Sequence, residues 1–150
     1  MNADDWSFEI RAAKPEDAAA LVGLLEELGF PAAVDVVAQR LTALADDGET
    51  VFVGTRGVEV LGFVTLHLTP VLHRPTAVGR ITALVVASRA RRQGLGRALI
   101  AAAERRFVDA GCGLAEVTSN RKLAEAHAFY QQLGYAMTSY RFGKALSPSR

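Results

Sequence analysis

The sequence predicts an α/β mixed-sheet layer structure in a single domain that spans residues 1–150. β-rich runs alternate along the chain with segments of helical periodicity, as they do in layered α/β proteins. Two of the β-rich runs are separated only by Arg56-Gly57, a tight hairpin signal. The chain has the length of one ordinary domain, and 50% of its residues are hydrophobic against 22% charged, as in a folded protein. The predicted element order is β-α-α-β-β-β-α-β-α-β.

The first predicted strand is followed by two helices. Residues 7–13 alternate apolar and polar side chains, which predicts a strand. Pro15 and the two acidic residues after it are typical of a helix start, and leucines at helical spacing continue the pattern until Gly29 ends it. Residues 34–45 form a second amphipathic helical pattern, which ends near Gly48.

The middle of the chain is richest in strand signals. Residues 50–55 and 58–68 are β-rich runs on either side of the hairpin signal. Residues 81–87 are a β-branched run that is apolar on both faces, which predicts a central strand covered on each side. The remaining segments are a loop at 69–75, a helix that begins at Leu95 and is closed by Gly111 and Gly113, a strand at 114–119, a helix at 121–133 capped by Gly134, and a final strand at 135–142.

Charge and cysteine content argue against several classes of protein. Seventeen basic residues against sixteen acidic ones give a net charge of +1, too little for a general nucleic-acid binder. The single cysteine, Cys112, rules out an intrachain disulfide and suits a reducing cytoplasm. The N-terminus is acidic and polar, unlike a signal peptide, and no apolar run approaches the roughly 20 residues needed to span a bilayer. We therefore expect a cytoplasmic protein with neither a nucleic-acid nor a membrane partner.

The most informative segment is a basic turn between the strand at 81–87 and the helix that begins at Leu95. A helix N-terminus carries unpaired N–H donors and a partial positive charge. Gly94 and Gly96 allow a phosphate to approach the backbone closely, and Arg91 and Arg92 add charges that pair with phosphate oxygens. The segment therefore predicts a diphosphate site.

Two familiar phosphate motifs do not fit this turn. A dinucleotide fingerprint needs a third glycine where this chain has Leu99. A P-loop needs Gly-Lys-Ser or Gly-Lys-Thr, and neither tripeptide occurs. A nucleotide-binding module is therefore the weakest of the functional interpretations.

Residues 91–96 instead resemble the pattern of the GNAT superfamily of N-acetyltransferases, which is Gln or Arg, two residues, Gly, one residue, and Gly or Ala. Leu84 and Val86 stand where that family has its L-x-V strand. A second segment, 129–135, reads Phe-Tyr-Gln-Gln-Leu-Gly-Tyr and is similar to the end of the family's C-terminal helix. Each segment lies on the element where the family carries it, so the resemblance covers nearly the whole chain.

The resemblance implies the acyl-CoA N-acyltransferase fold, whose fourth and fifth strands splay apart to admit the pantetheine arm. It implies acetyl-CoA as cosubstrate and no metal. Members are often dimers, which leaves a homodimer open. The implied cofactor-binding residues are Leu84, Val85, Val86, Arg91, Arg92, Gln93, Gly94, Leu95, Gly96, Arg97 and Asn120.

The resemblance also implies catalytic residues. Tyr130 stands where the family often has a general acid that protonates the departing thiolate. Glu116 resembles a position used as general base in ribosomal-protein N-acetyltransferases, although an exposed strand charge is an equal alternative. The chain departs from the family in two places. Leu123 stands where many members have a CoA-contacting asparagine, so Asn120 either takes over that contact or caps the helix. Residues 81–84 lack the acid that many members carry.

We therefore expect an N-acetyltransferase that moves the acetyl group to a primary amine by direct attack in a ternary complex. The alternative is a catalytically silent acyl-CoA-binding or regulatory domain, which the missing strand acid keeps open. The acceptor is expected to be a small amine or a peptide end, bound by the first two helices and the loop at 69–75. The candidate acceptor-side residues are Glu26, Glu27, Asp35, His67 and His73.

Overall fold

The computed structural model of the chain describes residues 7–119 and 123–147. Its strands are β1 (Glu9–Ala12), β2 (Glu49–Arg56), β3 (Glu59–Thr69), β4 (Val78–Val86) and β5 (Leu114–Val117). Its α-helices are α1 (Ala18–Leu28), α2 (Val34–Asp46), α3 (Leu95–Asp109) and α4 (Ala124–Gln132). Two short 3-10 turns, Pro15–Asp17 and Ser88–Ala90, precede α1 and follow β4.

The five strands form one mixed sheet in the order β1-β2-β3-β4-β5. Neighbouring strands from β1 to β4 are antiparallel, and β5 lies parallel to β4. The predicted α/β mixed sheet and the predicted element order as far as α4 are confirmed. The prediction that residues 81–87 form a strand apolar on both faces is only partly right, since β4 begins earlier and Arg80 and Thr82 are exposed.

The strand predicted at residues 135–142 is wrong, because residues 135–147 form no regular secondary structure. The prediction depended on β-propensity, which mainly measures how well a side chain packs on a half-buried pleated surface. Met137, Tyr140 and Phe142 are 77%, 86% and 93% exposed, so no such packing compensates for ordering the backbone.

A β-bulge interrupts the pairing of β3 with β4. Thr65 pairs with Ala83, but the next residue, Leu66, pairs with Ile81, so Thr82 is an extra residue on β4. An extra residue shifts the alternation of side chains between the two faces of a strand. Below the bulge, Arg80 consequently shares a face with its register partner His67.

The helices cover opposite faces of the sheet. Val51, Phe63 and Ala83 face α1 and α2, whereas α3 packs on the other face, where two glycines allow a close approach. A Cβ on Gly62 would meet the Val85 carbonyl oxygen and Leu95, and a Cβ on Gly79 would meet the ring of Phe107. The absence of a Cβ at these two glycines therefore lets α3 pack closely on the sheet, which also sets the position of the helix start that follows β4. The largest fully buried side chains are Val53, Leu61, Val64, Leu66, Ile81, Leu95, Leu99 and Ile100.

The chain divides into two compact units, residues 1–117 and residues 118–150. The first contains the sheet and α1 to α3. In the second, Tyr130 of α4 makes edge-on ring contacts with Phe129 and Tyr135, with centroids 5.3 Å and 6.1 Å apart. No helix in the described parts of the chain has both the length and the apolar character to cross a membrane.

Candidate active site

The turn after β4 leads directly into the N-terminus of α3. Gly94 is the N-cap of α3, with φ 88°, and no side chain caps the helix. The first N–H groups of α3 therefore lack the partner that a capping side chain would supply. A Cβ on Gly94 would meet nothing within 4 Å, so the backbone here borders open space. Arg92 also has a positive φ, 63°, which is uncommon outside glycine and typical of a functionally constrained turn.

Side chains from distant elements hold this turn in place. The Glu27 carboxylate, at the end of α1, accepts hydrogen bonds from the backbone N–H of Ser88 at 3.0 Å and from its hydroxyl at 2.7 Å. These bonds lower the pKa of Glu27, and the positive charges of Arg91 and Arg89 lower it further. Arg89 forms an ion pair with Glu59 of β3 at 3.0 Å.

Gln93 completes this support. Its amide oxygen accepts a hydrogen bond from Arg56 of β2 at 3.0 Å, and its amide nitrogen donates to the Arg89 carbonyl at 3.2 Å. Both ends of the Gln93 side chain are therefore engaged within the protein. Any contact of Gln93 with a ligand would use its main chain.

Two arginines of the turn keep their charges available. Arg91 and Arg92 are exposed, and neither forms an ion pair within the described residues. The one side-chain hydrogen bond of Arg91 is a long one, 3.4 Å, from Nε to the Val86 carbonyl. Arg97, on the first turn of α3, is exposed as well. The turn therefore combines free cationic charge with an uncapped helix start, which is the arrangement that binds phosphate.

The pairing of β4 with β5 stops well before β4 ends. The last pair is Ile81 with Val117, whereas β4 continues to Val86. The main chain of residues 82–86, which includes Leu84 and Val85, therefore has no partner from β5 on that side. The family resemblance implies that the fourth and fifth strands part in this region.

Glu116 lies beside an arginine. It is the register partner of Arg80, whose Nη2 and Nε lie 3.1 Å and 3.3 Å from the same Glu116 carboxylate oxygen. The two side chains are 40% and 45% exposed. The Glu116 carboxylate is thus held in an exposed ion pair with a guanidinium.

Glu116 and Arg80 belong to a row of polar residues that crosses four strands. We call Glu49, His67, Arg80 and Glu116 the polar row, because each is the register partner of the next, on β2, β3, β4 and β5. Thr82, the bulge residue, donates a hydrogen bond to Glu49 Oε1 at 3.2 Å. Sequence reasoning missed Glu49, Arg80 and Thr82, since only strand pairing brings them together.

The polar row adjoins a cavity. Thr65 hydrogen-bonds the hydroxyl of Thr82, and it also lines a space of about 200 Å³ between α1, α2 and the sheet. The lining is apolar apart from Thr65 and Arg40, and Arg40 forms no ion pair within the described residues. The lining residues are Leu21, Leu25, Val37, Arg40, Leu41, Leu44, Val51, Phe63, Thr65 and Ala83.

The acceptor-side residues expected from the sequence are dispersed. Glu27 holds Ser88, while Glu26, Asp35 and His73 are exposed and do not line the cavity. His67 alone lies in the polar row, where its Nδ1 is 2.9 Å from the Thr69 hydroxyl. The helix acids expected on the acceptor side are therefore not gathered around the cavity.

Tyr130 is partly buried in the second unit of the chain. Burial raises the pKa of its phenol, so the hydroxyl remains protonated throughout the neutral range. Asn120 lies outside the described residues. Within those residues, no group of three or more His, Cys, Asp or Glu side chains is arranged to hold a metal ion.

Solved structures share this fold. An acetyltransferase from Trypanosoma brucei matches with a TM-score of 0.81 at 25% identity, over 93% of this chain and 100% of that one. Aminoglycoside N-acetyltransferase AAC(6')-Iy, solved in complex with CoA, matches with a TM-score of 0.81 at 17% identity, over 93% of this chain and 95% of that one. These matches define the fold as that of an acetyltransferase.

Sequence comparison identifies the family. The model of the Acetyltransferase (GNAT) family matches residues 14–135, and the chain belongs to that family. It is 35% identical, over 143 residues, to the aminoalkylphosphonate N-acetyltransferase of Salmonella typhimurium, covering 92% of this chain and 91% of the relative. The predicted family is therefore confirmed.

Proposed function

We propose that the chain is a cytoplasmic, acetyl-CoA-dependent N-acetyltransferase that acts on a small primary amine, with residues 1–150 working as one catalytic domain. One observation carries the proposal. Beside the start of α3, the turn after β4 presents Arg91 and Arg92, which have no ion-pair partner in the part of the chain that the structure describes, and a glycine N-cap that borders open space. Such a site suits a diphosphate. CoA carries a diphosphate in its nucleotide portion, whereas an acyl donor without a nucleotide would lack this group.

The residues at the turn fit acetyl-CoA. The main-chain N–H groups from Gln93 to Gly96 are proposed to hold its diphosphate, with charge from Arg91, Arg92 and Arg97. The main chain of residues 84–86, unpaired with β5, is proposed to hydrogen-bond the pantetheine arm and to stabilise negative charge on the thioester oxygen. Asn120 is proposed as a further contact. When bound, acetyl-CoA supplies an activated acetyl group and a thiolate leaving group.

Tyr130 is proposed as the general acid. The assignment depends on its place in the segment 129–135 that resembles the family, and the raised pKa of its phenol supports it. A protonated phenol donates its hydrogen to a thiolate as the C–S bond breaks. Glu116 is a second proposed catalytic group, and its carboxylate is ion-paired with Arg80.

We propose that the acceptor is small and carries an anionic group. A cavity of about 200 Å³ is below the usual range for drug-sized ligands. Arg40 would bring a positive charge to this otherwise apolar lining. An aminoalkylphosphonate, named as the substrate of the Salmonella typhimurium relative, combines an amine with a dianion and is the first acceptor to test.

The test combines binding and turnover. Calorimetry should show one acetyl-CoA bound per chain. Thiol release, followed with aminoalkylphosphonates, polyamines, aminoglycosides and dipeptides, should exceed the acceptor-free rate with at least one small amine. Acetyl-CoA binding without turnover on any amine would favour the alternative of a catalytically silent acyl-CoA-binding domain. The absence of an acid at residues 81–84 is the observation that supports this alternative.

A further inference from the structure

Acetyl transfer to an amine needs a proton acceptor, and neither of the two expected positions offers a carboxylate outside an ion pair here. An alkylamine has a pKa of about 10, so at neutral pH it arrives as an ammonium ion that cannot attack. Residues 81–84 of β4 contain no acid. Glu116 on β5 is engaged in an ion pair with the guanidinium of Arg80, at 3.1 Å.

Glu49 of β2 is the other carboxylate of the polar row. It forms no ion pair within the described residues, and its hydrogen-bond partner is the neutral hydroxyl of Thr82, 3.2 Å away. Thr82 is the bulge residue of β4, and it also contacts Thr65, which lines the cavity. The Glu49 carboxylate thus reaches the part of β4 where the acid is missing, beside the space proposed for the acceptor.

We infer that Glu49 is the general base of the proposed acetyl transfer, supplying from β2 the carboxylate that β4 lacks. The inference rests on the proposed function. The acceptor ammonium gives one proton to Glu49, which later releases it to solvent. The freed lone pair of nitrogen forms the C–N bond with the acetyl carbonyl carbon as the C–S bond breaks. The nitrogen loses its second proton to solvent, while the CoA thiolate gains a proton from the proposed acid, Tyr130, which solvent then reprotonates.

Charged and titratable residues lie on the elements that neighbour Glu49. Its register partner is His67 on β3, and Arg80 follows on β4. From α2, which packs against β2, the charged side chains are Asp35, in the first turn, Arg40, beside the cavity, and Asp46, at the end of the helix. In this group Arg80 is paired with Glu116, and Glu49 has no ion-pair partner within the described residues.

The decisive experiment compares Glu49→Gln with the parent on the best acceptor found. We expect kcat to fall about 10²-fold at pH 7, the lower part of the usual range for general base catalysis, while the acetyl-CoA Kd stays within about twofold. The deficit should shrink toward pH 10, where the amine itself becomes neutral. Asp47→Asn is the matched control, since it removes a nearby exposed carboxylate at the C-cap of α2 and should leave kcat unchanged.

Glu116→Gln decides between the two carboxylates. A parent-like kcat for Glu49→Gln, or a large pH-dependent loss for Glu116→Gln alone, overturns the inference. If Glu49→Gln does not fold, Thr82→Val replaces it, because it keeps Glu49 but removes the hydroxyl that holds it. We expect about a tenfold lower kcat for Thr82→Val, as one positioning hydrogen bond is lost, and a parent-like kcat overturns the inference. A parent enzyme without turnover on any amine would instead overturn the proposed function.

Discussion

The turn after β4 and the polar row use their charges in different ways. In the turn, the carboxylates Glu27 and Glu59 are engaged by Ser88 and Arg89, which leaves Arg91 and Arg92 without ion-pair partners among the described residues. In the polar row, the guanidinium of Arg80 is paired, and the carboxylate of Glu49 accepts a hydrogen bond from the Thr82 hydroxyl and forms no ion pair with the residues described.

This difference separates binding from chemistry. Unpaired cations beside a helix start attract a polyanion and hold it in a fixed place. A single unpaired carboxylate among compensated charges attracts an ammonium ion and accepts a proton from it. Changes in the turn should therefore appear in the acetyl-CoA Kd, and changes in the polar row should appear in kcat.

The largest expected effect comes from a residue that belongs to neither region. Tyr130→Phe removes only the phenolic oxygen, so we expect kcat to fall about 10²-fold with little change in acetyl-CoA affinity. Because burial raises the pKa of Tyr130, the acid should remain protonated up to at least about pH 10, and the parent kcat should show no loss from its ionisation below that. Steady-state kinetics and calorimetry measure both quantities. A parent-like kcat would make Tyr130 an ordinary packed aromatic residue.

The next effect is on the free energy of unfolding. It should leave the turn after β4 and the polar row unchanged. Asp17 is buried before α1, where its carboxylate accepts bonds from Arg11 at 2.7 Å and 2.8 Å and from the Lys14 N–H at 2.8 Å. These bonds, that of Arg11 foremost, lower the pKa of Asp17. Since Arg11 is partly exposed, we expect Asp17→Asn to lower the free energy of unfolding by about 2 kcal/mol.

The pH dependence of this effect has a definite sign. A folded-state pKa below the unfolded value gives stability that is present above about pH 4 and is lost as pH falls through the folded pKa. The free energy of unfolding of Asp17→Asn should therefore decrease less than that of the parent as the pH falls. Urea unfolding from pH 7 to pH 3 measures this, and an unchanged acetyl-CoA Kd for the folded variant is the control.

Gly94→Val tests the turn directly. We expect the acetyl-CoA Kd to rise more than tenfold, because a β-branched side chain both strains the φ of 88° and occupies the open space beside the helix start. Gly111→Val is the matched control at the other end of α3, where φ is 80° and a Cβ would also meet nothing. Equal losses of affinity in the two variants would show that strain, and not a blocked ligand, is responsible.

The smallest expected effect compares two arginines of the same turn. Arg92→Ala should weaken acetyl-CoA binding by about 1 kcal/mol, or about fivefold, and less at high salt, since an exposed charge is lost from the ligand's side. Arg89→Ala should change the Kd less, because the Arg89 guanidinium is already paired with Glu59. Calorimetry at two salt concentrations separates the variants. If Arg89→Ala raised the acetyl-CoA Kd more than Arg92→Ala did, Arg89 would be the ligand-binding arginine and its role as a support of the turn would be wrong.

The turn could be predicted from the sequence because its residues are contiguous. Arg91, Arg92, Gly94 and the helix start are neighbours in the chain, so their chemistry can be read in one short segment. The supports of the turn could not be predicted this way, since Glu27 reaches Ser88 from 61 positions earlier.

The polar row shows why the rest of the site could not be predicted. Arg80 and Glu116 are 36 residues apart, and only the β4–β5 register makes them neighbours. The bulge at Thr82 changes that register in a way that no composition signal marks. The false strand at residues 135–142 has a related cause, because strand propensity carries no information on whether a pairing edge exists.

The bulge at Thr82 makes β4 sensitive to residue count as well as to residue identity. Side chains along a strand alternate with a period of two, and the extra residue resets that alternation midway. Deleting Thr82 would turn Arg80 toward the apolar surface under α3 and would turn Ile81 away from it. The number of residues in this strand is therefore under stricter constraint than the identity of any one of them. Insertions and deletions in β4 should be harder to tolerate than substitutions.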